Sequence, residues 1–316
     1  MKDSSGTMRL AGVDIGTLTC RLLIADLPPG GRLKEVRSER RILRLGEGVD
    51  QTKRLSIVAM DRVLRCLREW REMIDASQVD AAVAVATSAV RDAANRDEFL
   101  DRVKREAGFE VEIITGEEEA RRTMLGIRSG LPPGVTDVLA LDIGGGSTEF
   151  VLARDGAPAA AVSLRLGVVT LQEEWGEPGP VRWDRFARLH EHVERRLAAE
   201  VPEAIAGAAV AELVGTAGTV TTLAALDLGL RAYDAAVVHG HRLDRAAVER
   251  QLARLGALDV EARGLLPCLE PGRADVIIPG IAICLAAMAR LRRETVVVSD
   301  RGLREGILCE LLGTAA

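Results

Sequence analysis

Short apolar runs alternate with longer amphipathic segments along the first part of the chain. The apolar runs predict strands over residues 8–14, 19–26, 33–40, 79–86 and 111–114. Apolar residues at helical spacing predict helices over residues 55–76, 96–107 and 117–129. This regular exchange of strands and helices is typical of α/β proteins, in which helices cover a largely buried sheet.

The same order of elements begins again after Leu131-Pro-Pro-Gly134, a segment whose prolines and glycine suit a linker. Strands are predicted over residues 137–142, 148–154, 161–165 and 295–298. Helices are predicted over residues 182–200, 218–227, 243–255, 274–292 and about 300–312. We therefore expect two domains, 1–130 and 131–299, with the closing helix of residues 300–316 packing back on the first domain.

One motif occurs twice, with Asp14 and Asp142 at matching positions 128 residues apart. Each copy reads as an apolar strand, an aspartate at its end, a turn of small residues and a second apolar strand. Such turns let backbone N–H groups approach an anion closely, and hydroxyl groups add further donors. The predicted phosphate-binding residues of the two turns are Gly16, Thr17, Thr19, Gly144, Gly145, Gly146, Ser147 and Thr148.

The two aspartates allow two interpretations. Asp14 and Asp142 could hold a divalent cation, directly or through water. Alternatively, each could cap its own turn by accepting a backbone N–H two residues on. The second turn is neither G-x-G-x-x-G, because Glu149 stands at the third glycine position, nor a P-loop, because no lysine follows. With these two nucleotide-binding motifs excluded, the sequence predicts a phosphate-binding turn that joins two strands of a β-hairpin.

Two glutamates are candidate catalytic residues. Thr115 and Glu118 fit a capping box, and Glu117 suits the positive end of the predicted helix, so Glu119 is left without a structural role. A carboxylate in this position could activate a water molecule as a general base. Glu149 takes the place that Arg21 has in the first copy, and it either faces the ligand or is a solvated edge carboxylate.

Polar residues at two further strand ends could also bind phosphate. Arg91 follows Thr87 and Ser88 after a buried strand, and its guanidinium either grips phosphate or pairs with a nearby carboxylate. Gly215, Thr216 and Gly218 form a third small-residue turn, which suits either an anion at a helix N-terminus or plain close packing. The late arginines could extend a positive track for a long anion: Arg263, Arg273, Arg301 and Arg304.

Composition narrows the class of protein. The 316 residues are 47% hydrophobic and 28% charged, which is ordinary for a soluble globular protein. No apolar run approaches the roughly 20 residues of a membrane span, and the polar start, where Met8 could be the natural first residue, has no signal-peptide core. Five scattered cysteines suit a reducing cytoplasm, and a net charge of −5 favours no DNA partner.

These residues resemble one family, the exopolyphosphatase and guanosine pentaphosphate phosphohydrolase (Ppx/GppA) family, over nearly the whole chain. The matching segments are the Asp14 turn, Arg44–Gly48, Ala86–Ala93, Gly116–Arg121, Leu141–Glu149, Ser163–Gly167, the Gly215 turn, Val238–Gly240, Arg273–Ile277 and Val298–Gly306. The resemblance implies two ribonuclease H-like α/β domains of the actin, sugar-kinase and heat-shock-protein-70 ATPase superfamily, with the active site in the interdomain cleft.

The resemblance also implies chemistry. It implies hydrolysis of the terminal phosphoanhydride of inorganic polyphosphate, or alternatively of guanosine pentaphosphate, with Mg²⁺ (or Mn²⁺) as cofactor and a homodimer as one assembly. Glu119 matches the family's base, and Arg21 and Arg91 match arginines that contact the phosphate chain. Asp142 and Glu149 match acidic residues for magnesium and water, and Asp14 joins them as a further metal ligand.

Three departures from the family pattern matter. Leu18 replaces a polar residue of the first turn, Ala217 replaces a glycine of the third turn, and the chain ends near residue 316 without the helical domains of longer members. We therefore keep two other functions open. One is an ATP-dependent kinase with an adenosine pocket around residues 215–222, and the other is a non-catalytic sensor of guanosine tetra- or pentaphosphate.

Overall fold

Two compact units make up the chain. The computed structural model describes residues 6–210 and 212–311, and the ends of the proposed N-terminal extension and closing helix, residues 1–5 and 312–316, lie outside them. The first unit runs to Ser129 and takes in the segment from Leu303, whereas the second unit spans Gly130–Gly302. The sequence-based borders lay at 130/131 and at about residue 300.

The first unit contains a five-stranded sheet within the described residues. Its strands are β1 (Met8–Ile15), β2 (Thr19–Leu27), β3 (Lys34–Ile42), β4 (Ala81–Ala86) and β5 (Val111–Ile113). The order in the sheet is β3-β2-β1-β4-β5. Strand β2 is antiparallel to both β1 and β3, while β4 and β5 run parallel to β1, as the crossover helices require.

Helices cover this sheet. They are α1 (Val49–Thr52), α2 (Ile57–Ala76), α3 (Ser88–Arg91), α4 (Arg96–Ala107), α5 (Gly116–Gly130) and, from the end of the chain, α14 (Leu303–Leu311). The apolar stripe of α2 packs into the core on one face of the sheet, with Trp70 fully buried. On α14, Leu308 packs against Leu10 and Leu23 of the sheet.

The second unit repeats the arrangement with one strand added. Its strands are β6 (Val138–Ile143), β7 (Thr148–Arg154), β8 (Ala157–Leu164), β9 (Glu212–Thr216), β10 (Arg242–Asp244) and β11 (Thr295–Val298). Their order is β10-β11-β9-β6-β7-β8, with β6, β7 and β8 antiparallel and β9 and β11 parallel to β6. Both sheets thus share the ribonuclease H-like order, and the predicted α/β fold class is confirmed.

The helices of the second unit refine the sequence-based boundaries. They are α6 (Val168–Trp175), α7 (Trp183–Glu200), α8 (Glu203–Ala206), α9 (Ala217–Asp227), α10 (Ala235–Val238), α11 (Arg245–Gly256), α12 (Val260–Gly264) and α13 (Ile277–Arg290). Helix α11 begins later than predicted because the Asp244 carboxylate accepts the N–H of Ala247 at 2.6 Å and caps the helix, leaving residues 242–244 as a strand. Helix α13 begins at Ile277 rather than at the predicted residue 274, and a 3₁₀ turn at Pro271–Arg273 precedes it.

The state of the cysteines and the length of the helices can be compared with the sequence analysis. All five cysteines are free thiols, as their scattered positions predicted, and burial raises the pKa of Cys284 to about 12. Among the helices of the described residues, none combines the length and hydropathy that crossing a bilayer requires.

Candidate functional site

The repeated motif folds into the same β-hairpin turn in both units. In the first, Asp14 lies opposite Arg21 across β1 and β2. In the second, Asp142 lies opposite Glu149 across β6 and β7. Glu149 therefore occupies the position of Arg21, as the sequence repeat predicted, and each aspartate shares a sheet face with its cross-strand partner.

The same hydrogen bond closes each turn. Gly16 N donates to Thr19 O at 3.0 Å, and Gly144 N donates to Ser147 O at 2.9 Å. A Cβ atom on Gly16 would lie 2.8 Å from the Thr19 carbonyl oxygen, and one on Gly144 would lie 3.0 Å from the Ser147 carbonyl oxygen. Glycine is favoured at both positions because the turn brings the backbone back on itself this closely.

The first turn is held by two neighbouring segments of its own unit. Gly46 N donates to Thr17 O at 2.9 Å, and Thr87 N donates to Ile15 O at 3.3 Å. The Thr17 hydroxyl oxygen is buried and has no hydrogen-bond partner among the described residues. A buried polar atom normally has a partner, so this hydroxyl fits a ligand oxygen.

Leu18 of the first turn is a core residue. Its side chain is only 3% exposed, and its carbonyl oxygen accepts the N–H groups of Leu43 and Arg44 at 2.9 Å each. The departure from the family pattern therefore adds apolar packing beneath the turn, while the turn's backbone closes as in the second unit.

Glu119 and Arg91 lie side by side in the first unit. Arg91 Nη1 is 3.3 Å from Glu119 Oε2 and donates to Ile114 O at 2.8 Å. Of the two interpretations of Arg91, pairing with a nearby carboxylate is therefore observed, and the carboxylate is that of Glu119. The capping box also forms: Glu118 Oε2 accepts Thr115 N at 2.8 Å, and Thr115 Oγ1 accepts Glu118 N at 3.2 Å. Glu119 is left to face Arg91.

The second turn sits in a tighter frame. Thr148 is fully buried and its hydroxyl donates to Leu166 O at 2.6 Å. The N-terminus of α6 is bound to the turn, because Val169 N donates to Gly145 O at 2.8 Å. A Cβ atom on Gly167 would lie 2.2 Å from that same carbonyl oxygen, so only glycine fits there. The turn is therefore closely packed against the segment that leads into α6.

Glu149 is a buried carboxylate rather than a solvated edge residue. Glu149 is only 2% exposed, and Ser163 Oγ donates a hydrogen bond to Glu149 Oε1 at 2.7 Å. Ser163 was not singled out as a functional residue from the sequence. The signal that could have found it is its cross-strand position, since Glu149 and Ser163 are directly paired across β7 and β8.

The carboxylate pair at this edge suits a divalent cation. Asp142 and Glu149 are direct cross-strand neighbours, and like charges at such positions destabilise a sheet unless something neutralises them. Carboxylate oxygens are also the ligands that Mg²⁺ takes in proteins, one or two at a time with water and phosphate oxygens. Within residues 6–210 and 212–311, no three acidic, histidine or cysteine side chains gather as a ready-made metal cluster.

The third turn joins β9 to α9 and is strongly packed. The Thr216 hydroxyl donates to Arg301 O at 2.9 Å, and a Cβ atom on Gly215 would lie 2.6 Å from Val296 Cγ1. Ala217, where the family has glycine, adopts a left-handed φ of 66°. A Cβ atom on Gly218 would lie 2.0 Å from Arg273 Nη1, so a guanidinium lies directly against this turn.

Other polar residues from the sequence are tied into the fold. Arg263, Arg273 and Arg304 are each less than a tenth exposed, so these three arginines are enclosed in the fold rather than solvated. His239 contacts backbone on both ring nitrogens, with Nε2 3.2 Å from Gly130 O and Nδ1 accepting Asp300 N at 3.3 Å. Both ring nitrogens of His239 therefore have partners within the fold.

Comparison with known proteins identifies the relatives of this chain. The model of the Ppx/GppA phosphatase family matches residues 23–315. Exopolyphosphatase 2 of Mycobacterium tuberculosis is 36% identical, with 96% of this chain and 99% of that protein aligned. A guanosine-5'-triphosphate,3'-diphosphate pyrophosphatase of Aeromonas salmonicida is 31% identical, over 96% of this chain and 59% of that protein.

Solved structures agree with these sequence matches. The Ppx/GppA family member of Aquifex aeolicus is 36% identical and superposes with a TM-score of 0.81, covering 97% of this chain and 98% of that one. An exopolyphosphatase of Cytophaga hutchinsonii is 28% identical with a TM-score of 0.88, again over 97% of this chain and 98% of that one. The chain therefore belongs to the Ppx/GppA phosphatase family, whose members hydrolyse phosphoanhydride bonds.

Proposed function

We propose that this protein is an exopolyphosphatase, which removes the terminal phosphate of inorganic polyphosphate by attack of water. The observation that carries the proposal is the repeated hairpin turn, closed by the same glycine N–H bond in each unit. Backbone N–H groups and hydroxyls at such turns bind phosphate oxygens without reading a base or sugar. The similarity to an exopolyphosphatase over 99% of its length supports this substrate class.

Phosphate binding is assigned to the turns and to two arginines. Gly16, Thr17 and Thr19 would serve in the first unit, together with Arg21. The second-unit donors would be Gly144, Gly145, Gly146 and Ser147, while Thr148 holds the turn through its bond to Leu166. The third turn contributes its glycine backbone at Gly215 and Gly218, because the Thr216 proton is already donated to Arg301. Such fixed donors stabilise charge on the transferring phosphoryl group.

Glu119 is proposed as the general base. It would accept a proton from water while the water oxygen bonds to the terminal phosphorus. The bond from that phosphorus to the bridging oxygen breaks, which releases orthophosphate and a chain one phosphate shorter. Arg91 would contact the terminal phosphate and, before substrate binds, keep the Glu119 carboxylate in place through their 3.3 Å contact. Positioning and charge stabilisation dominate such reactions.

Mg²⁺ (or Mn²⁺) is proposed as the cofactor, with Asp142, Glu149 and Asp14 as the carboxylates that would hold it, directly or through water. Bound there, a divalent cation would neutralise charge on phosphate oxygens. Ser163 would orient Glu149 through the 2.7 Å hydrogen bond to Oε1. A second catalytic task for Glu149, the positioning of the attacking water, follows from the same placement.

The main alternative substrate is guanosine pentaphosphate, losing its 5′ terminal phosphate, and the similarity to the Aeromonas salmonicida pyrophosphatase favours it. Phosphate release should be measured with Mg²⁺ on short polyphosphate, long polyphosphate, guanosine pentaphosphate and ATP in parallel. Glu119→Gln should abolish release, and Glu117→Gln, an exposed change two positions earlier, should leave it intact.

The pattern of release decides between the functions. Faster release from polyphosphate than from guanosine pentaphosphate supports the proposal, and the reverse order assigns the alternative substrate. Binding without turnover of any of the four compounds would indicate the sensor, and ADP formation with a sugar acceptor would indicate the kinase. Unchanged release in Glu119→Gln would remove Glu119 from the role of base.

A further inference from the structure

Arg40 of β3 continues a row of charged residues that begins at the first hairpin turn. Asp14 of β1 lies opposite Arg21 of β2, and Arg21 lies opposite Arg40 of β3. Residues paired directly across antiparallel strands have Cβ atoms roughly 5 Å apart and point to the same face of the sheet. One negative and two positive residues therefore stand side by side, and Arg40 was not among the candidates that the sequence offered.

The second unit has the same row with different chemistry. Its members are Asp142, Glu149 and Ser163, and Ser163 Oγ donates to Glu149 Oε1 at 2.7 Å. In the first unit the corresponding residues of the second and third strands are both arginines, Arg21 and Arg40. Like charges directly opposite each other destabilise a sheet, and a bound anion would relieve their repulsion. The carboxylates of the one row suit a cation, and the arginines of the other suit an anion.

Contacts on β3 fix the face to which Arg40 belongs. Ser38, two residues earlier, accepts a hydrogen bond from Arg304 of α14 at 2.6 Å. Arg41, the next residue, instead pairs with Glu69 of α2 on the opposite face. Because alternate residues of a strand share a face, Arg40 lies on the α14 face of the sheet, together with its cross-strand partner from the turn.

The charges around this row favour an anion. Arginines outnumber carboxylates there, since the cations are Arg21, Arg40 and Arg304 and the carboxylates are Asp14 and Glu305. Arg304 is only 7% exposed and lies 3.4 Å from the Glu305 carboxylate, so its charge is engaged within the fold. Arg40 is half-buried, and β3 forms one edge of the sheet within the described residues, so this guanidinium can be reached from solvent.

Arg40 also lies on the far side of the sheet from the proposed base. Arg91 donates to Ile114 O just after β5 and contacts Glu119, whereas the order β3-β2-β1-β4-β5 places Arg40 at the other edge. Neighbouring strands are roughly 5 Å apart, so Arg40 lies about one strand spacing farther from that pair than Arg21 does. A guanidinium in this position suits a phosphate group that is remote from the bond that breaks.

We propose that Arg40 binds a phosphate group of the substrate behind the terminal one. This inference rests on the proposed function, because it extends the phosphate-binding residues of the first unit from the turn to the edge strand. The planar guanidinium offers a fork of N–H donors that matches two phosphate oxygens. Anions with three or more consecutive phosphates would use this contact, and orthophosphate would not. Arg40 would thus help to select the length of the anion.

The first test measures binding without turnover. The probes are orthophosphate and a tripolyphosphate analogue whose bridging oxygens are replaced by CH₂ groups, each titrated calorimetrically with Mg²⁺ present. Arg40→Met should weaken binding of the analogue by about tenfold, which is typical of a lost charge-assisted bond, and should leave orthophosphate binding unchanged. Arg40→Lys keeps the charge without the fork and should lose only about threefold.

A matched control lies on the same strand. Arg37 is exposed, belongs to the opposite face and pairs with Glu39 at 2.9 Å. Arg37→Met removes the same charge from the protein, so it should leave both affinities unchanged if position rather than net charge matters. Equal losses in Arg37→Met and Arg40→Met would reduce the effect to general electrostatic attraction and overturn the inference.

Steady-state phosphate release then separates a binding role from a structural one. Arg40→Met should raise KM for tripolyphosphate by about tenfold and keep kcat within about twofold, because a phosphate that does not react is held equally in the ground state and the transition state. A loss of kcat with unchanged KM, accompanied by a lower unfolding temperature, would mean that Arg40 serves the fold.

Failure of this inference can be told from failure of the proposed function. If wild type and Arg40→Met bind the analogue equally while both release phosphate, Arg40 is no part of the site and the proposed function stands. An equal loss for orthophosphate would place Arg40 at the terminal phosphate, which contradicts the inference. If wild type neither binds the analogue nor releases phosphate from polyphosphate or guanosine pentaphosphate, both proposals are wrong.

Discussion

Arg91 and Glu119 form an ion pair across 28 positions of sequence, with Nη1 and Oε2 3.3 Å apart and both side chains largely buried. Arg91 is also anchored by its 2.8 Å bond to the carbonyl oxygen of Ile114. The guanidinium is thereby fixed by the backbone and in turn restrains the proposed base. Two residues that the sequence analysis treated separately are therefore in direct contact.

This pairing predicts non-additive kinetics. Glu119→Gln should lower kcat by about 10²–10⁴, the usual range for loss of a general base. Arg91→Met should lower kcat as well, because the carboxylate loses its restraint and the phosphate loses a contact. The double variant should be little worse than Glu119→Gln alone, as is typical of residues that act as a unit. Steady-state phosphate release from all four proteins measures this, and fully multiplicative losses would contradict it.

The capping box predicts a pH effect on stability. The N–H of Thr115, donated at 2.8 Å, holds the pKa of the Glu118 carboxyl below its usual value. Since the folded pKa is the lower one, this stabilisation is fully present above the unfolded pKa of about 4.3 and is lost as pH falls through the folded pKa. The stability advantage of wild type over Glu118→Gln should therefore shrink between pH 5 and pH 3 in urea unfolding. Glu117→Gln is the control.

Local patterns predicted what local contacts determine. The Thr115–Glu118 capping box and the two hairpin turns were read directly from the sequence because their partners lie within a few residues. The Arg91–Glu119 contact and the support of Glu149 by Ser163 depend on tertiary strand and helix placement, so periodicity could not locate them. Helix α6 escaped prediction because its eight residues are too short to establish a helical period.

The burial of two arginines was the other property that could not be predicted from the sequence. The sequence offered Arg263 and Arg273 as parts of a positive track for a long anion, yet both are enclosed, one at a pocket and the other against Gly218 of the third turn. An arginine is usually exposed, so composition alone favours the wrong environment. Only the tertiary packing of α12 and of the 3₁₀ turn before α13 reveals that these arginines are buried.

Ala217 predicts a stabilising substitution. Its φ of 66° places an L-residue in the left-handed region, which costs roughly 1–2 kcal/mol. Glycine removes that cost but loses about 0.5–1 kcal/mol through its freedom in the unfolded chain. Ala217→Gly should therefore raise the free energy of unfolding by about 0.5–1 kcal/mol. Ala187→Gly, on the exposed face of α7, should instead lower it by about 1 kcal/mol. Parallel urea melts compare them.

The metal proposal predicts a graded magnesium requirement. Chelation by EDTA should stop phosphate release, and added Mg²⁺ should restore it. Asp142→Asn should raise the Mg²⁺ concentration for half-maximal rate by on the order of tenfold or more, because it removes a ligand charge beside Glu149. Ser163→Ala should have a similar but smaller effect, since orienting partners are commonly worth 10–100-fold in metal affinity. An unchanged Mg²⁺ dependence in Asp142→Asn would place the cation elsewhere.

Two threonines at the turns predict opposite outcomes of the same substitution. Thr17 Oγ1 is buried without a hydrogen-bond partner among the described residues, whereas Thr148 Oγ1 donates to Leu166 O at 2.6 Å. Replacing an unpaired buried hydroxyl by a methyl group is close to neutral for folding, but breaking a satisfied bond leaves an acceptor unpaired. Thr17→Val should therefore keep or slightly raise the free energy of unfolding. Thr148→Val should lower it by about 1–3 kcal/mol.

The phosphate-release activity of Thr17→Val should fall even though its stability does not. If the Thr17 hydroxyl donates to a phosphate oxygen of bound substrate, Thr17→Val removes a donor that is used only in the complex. The value of kcat/KM should then fall by about threefold to tenfold, while the free energy of unfolding is not lowered. Thermal or urea unfolding and phosphate release on the same preparations separate the two effects. A Thr17→Val protein that is destabilised yet fully active would mean that its hydroxyl serves the fold, and phosphate binding in the first unit would then rest on the backbone of the turn.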